Sequence, residues 1–383
     1  MHLHRHKKFD LLRGIGAIAV LLAHAVATYV ARIIGPDHPV VLLAGTIARH
    51  AVLVFFLLSG YLITQSILAN VRRNGRLDVV EYLAARIARI YPPLIGAICV
   101  VLGAWALIHG LDLPGSERYG RPGDLSVVRE AFTVNLKDVP LTLLMSGGMY
   151  QADGPLWYLY VEFHIYIIAM FAAMAVGTSR RRLWGVVALA QLIFWTTHHP
   201  SFAFYSAVWA LGAATSLAKE RIGGWTRPVA YLIGIALIAC GFVAPQLLTV
   251  GRGNPWVEYS VQMASSLVYV YVFFLSDRFG NSPPEALVKT GSFSYSLYVV
   301  HFPLLLLAYS LTQDWMGASL ARSLAVTICA IISVLLFSAV FAKFFEDQRR
   351  FKPRIRATLR LILTVLRRSR PSAELFENKL RLP

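Results

Sequence analysis

Long apolar runs separated by short polar, mostly basic gaps dominate the chain, and their lengths decide its class. Spanning a bilayer as a helix takes about 20 apolar residues. Ten runs approach or exceed that length, at 9–31, 40–67, 91–109, 155–176, 183–197, 202–217, 228–247, 257–275, 290–311 and 321–344. The fifth and sixth are short and meet at the polar tip Thr196-Thr197-His198-His199-Pro200-Ser201, so they also read as one broken hairpin. The pattern predicts an all-α, polytopic membrane bundle of about ten helices. The N-terminus, MHLHRHKKFD, has the basic start of a signal peptide. Its apolar run from Phe9 to Val30 is long enough to span, and no small-residue cleavage site closes it, so it is read as the first membrane helix.

Composition agrees. Of the 383 residues 57% are hydrophobic and only 15% charged, against about 25% charged in an ordinary soluble domain. The formal charge of +17 would raise the question of a nucleic-acid partner, but the basic residues sit in the gaps. With the N-terminus inside, 28 of the 37 Lys and Arg fall in inside segments, which by the positive-inside rule predicts both termini in the cytoplasm. Membrane topology then accounts for the charge without nucleic acid. A transmembrane domain over 1–344 is followed by a basic tail over 345–383 that can rest on anionic headgroups. Cys99, Cys240 and Cys329 lie inside apolar runs without metal-ligand spacing and read as buried thiols, with no metal site. The one sizeable hydrophilic outside loop, Gly110 to Gly154, is either an ordered lid over the outer mouth or a connector.

Ionisable residues inside a membrane span are costly and mark function first. In FDLLRGIGAIAVLLAH the helical advance of 100° per residue puts Asp10, Arg13 and His24 on one face, with His24 about 16 Å above Arg13. In GPLWYLYVEFHIYII, Glu162 lies about as far below the outer end of its span as His24 does in the first. A carboxylate at that depth can fix the imidazole tautomer and raise its basicity. The competing partners for Glu162 are Arg49 and His50 of the second span.

At the inner edge, EYLAARIARIYPPL places Arg86 and Arg89 three apart just ahead of Pro92 and Pro93, a pair of guanidiniums suited to phosphate. In FFLLSGYLI, Ser59 and Gly60 allow close approach of another helix or of a thin ligand arm. In SYSLYVVHFPL, His301 sits near mid-span beside Pro303; it reads as a packing residue or as a contact to substrate.

These stretches together resemble the acyltransferase 3 family of integral membrane acyltransferases: FDLLRGIGAIAVLLAHA (9–25), VFFLLSGYLIT (54–64), YLAARIARIYPPL (82–94), LWYLYVEFHIY (156–166) and SFSYSLYVVHFPL (292–304), in that order. The resemblance covers 9 to about 344. It implies a ten-helix bundle in a bacterial cytoplasmic (inner) membrane that moves an acetyl or other short acyl group from cytoplasmic acyl-CoA, acetyl-CoA foremost, to a hydroxyl of a glycan or lipid-linked saccharide outside. Where some members carry an appended hydrolase-like domain a basic tail is read here, so transfer is expected to be completed at the membrane domain itself, and the arginine pair is spaced RIAR where many members are tighter. By the resemblance His24 is the general base and Glu162 its partner. Arg13, Arg86, Arg89 and Ser59 hold the donor. Asp10, Trp157, His50 and His301 lie toward the substrate, His50 at a place that is small or polar in relatives. The partners implied are the bilayer, acyl-CoA and the saccharide, with no nucleic acid. A secondary transporter or glycan flippase is the alternative, disfavoured because the internal symmetry common in transporters is not seen.

Overall fold

The computed structural model describes residues 2–117, 131–177, 180–199, 201–222, 234–235, 255–275 and 283–368. The expected span 228–247, with Cys240, falls largely outside them, as does most of the middle of the outer loop. The described elements are helical: α1 (His2–Ala25), α2 (Pro39–Asn74), α3 (Val79–Gly110), the short α4 (Asp138–Leu143), α5 (Trp157–Gly177), α6 (Arg181–His198), α7 (Phe202–Ile222), α8 (Pro255–Tyr269), α9 (Glu285–Ser292), α10 (Ser294–Met316), α11 (Leu320–Phe345) and α12 (Gln348–Arg368).

Among the described residues, six stretches are long and apolar enough to cross a membrane: Lys7–Ile34, Pro39–Asn74, Val79–Gly110, Gly154–Val176, Ser294–Met316 and Leu320–Leu366. The runs expected at 183–197, 202–217 and 257–275 also form helices, α6, α7 and α8. Membrane helices must satisfy their backbone internally, which is why apolar runs convert so directly into helix.

Three features differ in detail from a set of plain cylinders. First, α3 is one helix that begins twelve residues before the apolar run and continues through Pro92 and Pro93, so Arg86 and Arg89 stand on the same rod as the span above them. Its start is fixed by Asp78, whose carboxylate accepts from the Glu81 N–H at 3.0 Å. Asn70 of α2 ties the α2–α3 turn, accepting from the Asp78 N–H at 2.8 Å. Second, α1 passes at Val26–Val30 into a π-helical turn and then a last turn at Ala31–Ile34. A π-turn holds an extra residue and often adjoins a functional position; this one begins two residues after His24. Within it Tyr29 O–H donates to the Leu305 carbonyl at 2.7 Å, and beyond it Arg32 binds the Tyr309 hydroxyl at 3.1 Å and the Gly317 carbonyl.

Third, two helix pairs meet backbone to backbone. A Cβ on Gly60 would lie 2.0 Å from the Trp209 carbonyl oxygen, and one on Gly212 2.1 Å from that of Leu57. The expected close approach at Ser59-Gly60 is therefore real, and α7 fills it. The same construction joins α1 to α9 through Gly14 and Gly291, where added carbons would fall 2.1 Å from the Leu287 and 1.9 Å from the Asp10 carbonyl oxygens. Close packing of this kind substitutes for the hydrophobic drive that lipid does not supply.

At the end of the chain, α12 lies against α3. Glu81 receives Lys352 at 2.6 Å and Arg356 at 3.3 Å.

Candidate active site

Helix α1 is continuously α-helical from Asp10 to His24, so the one-face stripe inferred from spacing holds along the rod. Its two ends meet different surroundings.

At the lower end Arg13 donates to the Asp10 carboxylate at 2.8 Å. Arg13 is within electrostatic reach of Arg89 on α3 and of Glu346, which closes α11. The Arg89 guanidinium lies 5.5 Å over the Tyr295 ring. Glu346 accepts from both the backbone N–H of Ser296 at 3.1 Å and its hydroxyl at 2.8 Å. Two arginines and two carboxylates thus converge from α1, α3 and the end of α11. Glu346 was not singled out from the sequence because it reads as the first residues of a basic tail; the available signal was a carboxylate set at the foot of an apolar run.

Arg86, one turn from Arg89, faces another space. It donates to the Ser66 hydroxyl at 3.3 Å and lies 5.5 and 5.7 Å over the Tyr82 and Tyr166 rings. Its Nε is buried and without a partner. It edges a cavity of about 310 Å³ between α3 and α5, lined also by Tyr91 and Phe163. The pair expected to act as one fork therefore addresses two adjoining regions, with Tyr166 between them: its ring is under Arg86, and its hydroxyl interacts electrostatically with Arg89.

At the upper end His24 packs its ring against His301 of α10, with ring centres 5.2 Å apart, and against Phe302 at 5.3 Å. It is half-buried. His301 is 1% exposed. Its Nδ1 lies 2.8 Å from the Tyr298 carbonyl oxygen and 3.2 Å from that of Leu297, so that nitrogen carries the proton. Its Nε2 is buried and has no partner. The signal for this neighbour was present in the sequence: Tyr295, Tyr298 and His301 recur every three residues on one face of α10.

The expected Glu162–His24 pairing is not what the structure contains. Glu162 accepts from the Tyr158 hydroxyl at 2.9 Å, one turn away on its own helix. The competing partners are also engaged elsewhere: Arg49 pairs with Glu258 at 3.2 Å and His50 with the Tyr269 hydroxyl at 2.5 Å. Equal depth in two spans specifies height and leaves open which helices adjoin. Glu162 instead joins a buried group with Tyr158, Tyr166, Tyr295 and Arg89.

Ser59, expected to lie toward the acyl donor, is hydrogen-bonded within the bundle. It accepts from the Trp209 indole at 3.2 Å and donates to the Tyr166 hydroxyl at 3.3 Å, which makes it a joint between α2, α5 and α7. His50 is buried at the junction of α2 and α8.

Tyr298 connects His301 to a group of packed aromatic rings. Trp157 packs on Tyr205 at 4.9 Å, and Phe56 on Tyr205 and Tyr158 at 4.8 and 4.7 Å. Tyr298 stands 5.9 Å from His301 and donates to the Pro155 carbonyl at 2.9 Å, connecting α10 to the start of α5. Beside it Asp153 is fully buried with neither carboxylate oxygen partnered. Burial pushes its ionisation well above the usual carboxylate range.

The family model described as an acyltransferase domain, acyltransferase 3, matches residues 6–343. An O-acetyl transferase of Shigella phage Sf6 is 24% identical over 319 residues, covering 79% of this chain and 85% of the relative. No solved structure matches.

Proposed function

The chain belongs to the acyltransferase 3 family, and from that premise we propose that it moves an acetyl or other short acyl group from acyl-CoA to a hydroxyl of a glycan or lipid-linked saccharide, with His24 as general base. The observation that carries the reading is the placement of His24: half-buried among helices, on the same face of α1 as Arg13 and about 16 Å above it. That separation suits an extended donor arm joining a phosphate anchor to a reacting centre.

The phosphates of the donor bind at the foot of the bundle, where Arg86 edges its cavity and Arg89 and Arg13 face one another. Arginine presents several fixed donors to phosphate oxygens, and Arg86 retains an unpartnered N–H for that purpose. The thioester reaches upward toward His24. The acceptor hydroxyl enters from the other end, past the packed aromatic rings, where Trp157 offers a face for a sugar ring. His24 takes the hydroxyl proton as the oxygen bonds to the thioester carbon; the carbon–sulfur bond breaks and the proton passes to the thiolate. General-base catalysis of this kind contributes about 10²–10⁴ in rate.

The topology that goes with this chemistry is the ten-helix bundle with both ends in the cytoplasm of a bacterial inner membrane, so that donor and acceptor approach from opposite faces. Glu162, held by Tyr158, acts through the buried tyrosines and Arg89 rather than by touching His24. Glu162→Gln is therefore expected to lower turnover and donor affinity together.

The test is purified protein in proteoliposomes supplied with acetyl-CoA. Release of CoA that depends on the protein, and loss of one acyl mass from the surface glycans of a deletion strain, are the expected results. A protein that binds and consumes no acyl-CoA would overturn the reading and favour transport.

A further inference from the structure

A neutral imidazole acts as a base through one nitrogen only, and the other must carry the proton. Which nitrogen does so is set by what the ring faces. Two rings pack on His24: Phe302, which offers no acceptor, and His301. Among the described residues no hydrogen bond holds either nitrogen of the His24 ring.

His301 is the complementary half of that arrangement. Two backbone carbonyls of its own helix receive its Nδ1 proton, which leaves the lone pair on Nε2. That nitrogen is buried with no partner. An acceptor sealed from water and left unsatisfied is costly, so its retention calls for an explanation. The ring 5.2 Å away supplies one: with two imidazoles at that centre-to-centre distance, turning one ring brings nitrogen to nitrogen within hydrogen-bond range. Catalytic hydrogen bonds are commonly long before substrate binds and tighten in the reacting complex.

We propose that His301 is the positioning residue for His24: its Nε2 accepts the His24 N–H and leaves the opposite His24 nitrogen unprotonated toward the acceptor hydroxyl. This rests on the reading of His24 as the base. The proton balance is unchanged. The hydroxyl proton moves to the free His24 nitrogen as the carbon–oxygen bond forms, and from there to the departing sulfur. His301 keeps its Nδ1 proton throughout and stabilises the transient imidazolium by accepting from it. The role that spacing and depth assigned to Glu162 thus passes to a neutral ring, which needs no charge buried beside His24.

Two conservative variants separate this from a packing role. In His301→Asn the amide nitrogen occupies the region of Nδ1 and can still donate to the Leu297 and Tyr298 carbonyls, but nothing replaces Nε2. In His301→Gln the amide oxygen reaches the region of Nε2 as an acceptor. With the full-length protein in proteoliposomes and acetyl-CoA as donor, His301→Asn is expected to lose about 10²-fold in kcat. His301→Gln should recover at least about tenfold of that, and KM for acetyl-CoA should stay within about threefold in both. Equal kcat in the two variants, or kcat and KM moving together, overturns the proposal.

Should His301→Asn fail to fold, His301→Gln decides alone: a partial loss of kcat at constant KM is expected, and full activity or a joint change refutes it. His24→Ala is measured beside them. If it retains activity, the reading of His24 as the base has failed. If it is inactive while both His301 variants behave as wild type, only the present inference has.

Discussion

The two ends of the α1 stripe handle polar groups in opposite ways. At the foot the carboxylates are answered: Asp10 by Arg13, Glu346 by two donors of Ser296, and Glu81 by Lys352 and Arg356. Eleven residues higher, His24 has no hydrogen-bond partner among the described residues, and the Nε2 of His301 has none either. Full charges near a membrane require partners or water, whereas a neutral imidazole can be left incomplete at modest cost. The lower end therefore carries the marks of a device that holds, and the upper end those of a device that reacts. Substitutions below should register in stability and donor affinity, and those above in turnover.

His24→Ala gives the sharpest break. Turnover is expected to fall by about 10²–10⁴, while thermal unfolding in detergent stays near that of the parent protein. A variant that unfolds early would place His24 with the holding groups. Next in size, Arg86→Ala combined with Arg89→Ala should raise KM for acetyl-CoA by at least about one to two orders of magnitude, since even one lost charged hydrogen bond is worth about 1.5–3 kcal/mol. Initial rates across a donor titration check this, and an unchanged KM moves the phosphates elsewhere.

Glu346→Gln tests the same contrast through folding. It removes the carboxylate that Arg89 and Arg13 face and weakens the two bonds from Ser296, so stability should fall by roughly 1–3 kcal/mol, read as a lower unfolding temperature. The smallest effect belongs to Asp153→Asn. With its ionisation raised by burial, the folded acid holds its proton to higher pH, and the unfolded chain releases it first. Its contribution is favourable at low pH and is lost as pH climbs above the ordinary carboxylate value toward the folded one. The amide variant should flatten that dependence and match or exceed the parent's unfolding temperature near neutral pH. A steeper fall would show that the carboxyl is charged and paired.

Much of this was legible in the residues, and the limits have a physical cause. Apolar length predicts helices because a membrane leaves the backbone few alternatives, and helical pitch alone put Asp10, Arg13 and His24 on one face. Those are facts internal to one segment. Glu346 meets Arg13 across more than three hundred residues, and nothing in either stretch announces the other. Depth arithmetic could match Glu162 to His24 only in height, and the ring beside His24 comes from α10. Ser59 and Gly60 signalled a gap without naming what fills it. The Tyr158–Glu162 bond, by contrast, spans a single helical turn and was open to local reasoning.

The π-turn at Val26–Val30 gives α1 a swivel between its chemistry and its mooring. One surplus residue there sets the azimuth of Tyr29 and Arg32, which fasten the helix to Leu305, Tyr309 and Gly317, without altering the pitch beneath. Excising a single residue from this stretch would turn the upper fastening by about 100° and leave the lower rod untouched. The helix is in that sense two components on one axle, and an engineer could retune how the top is tied down while the imidazole below keeps its bearing.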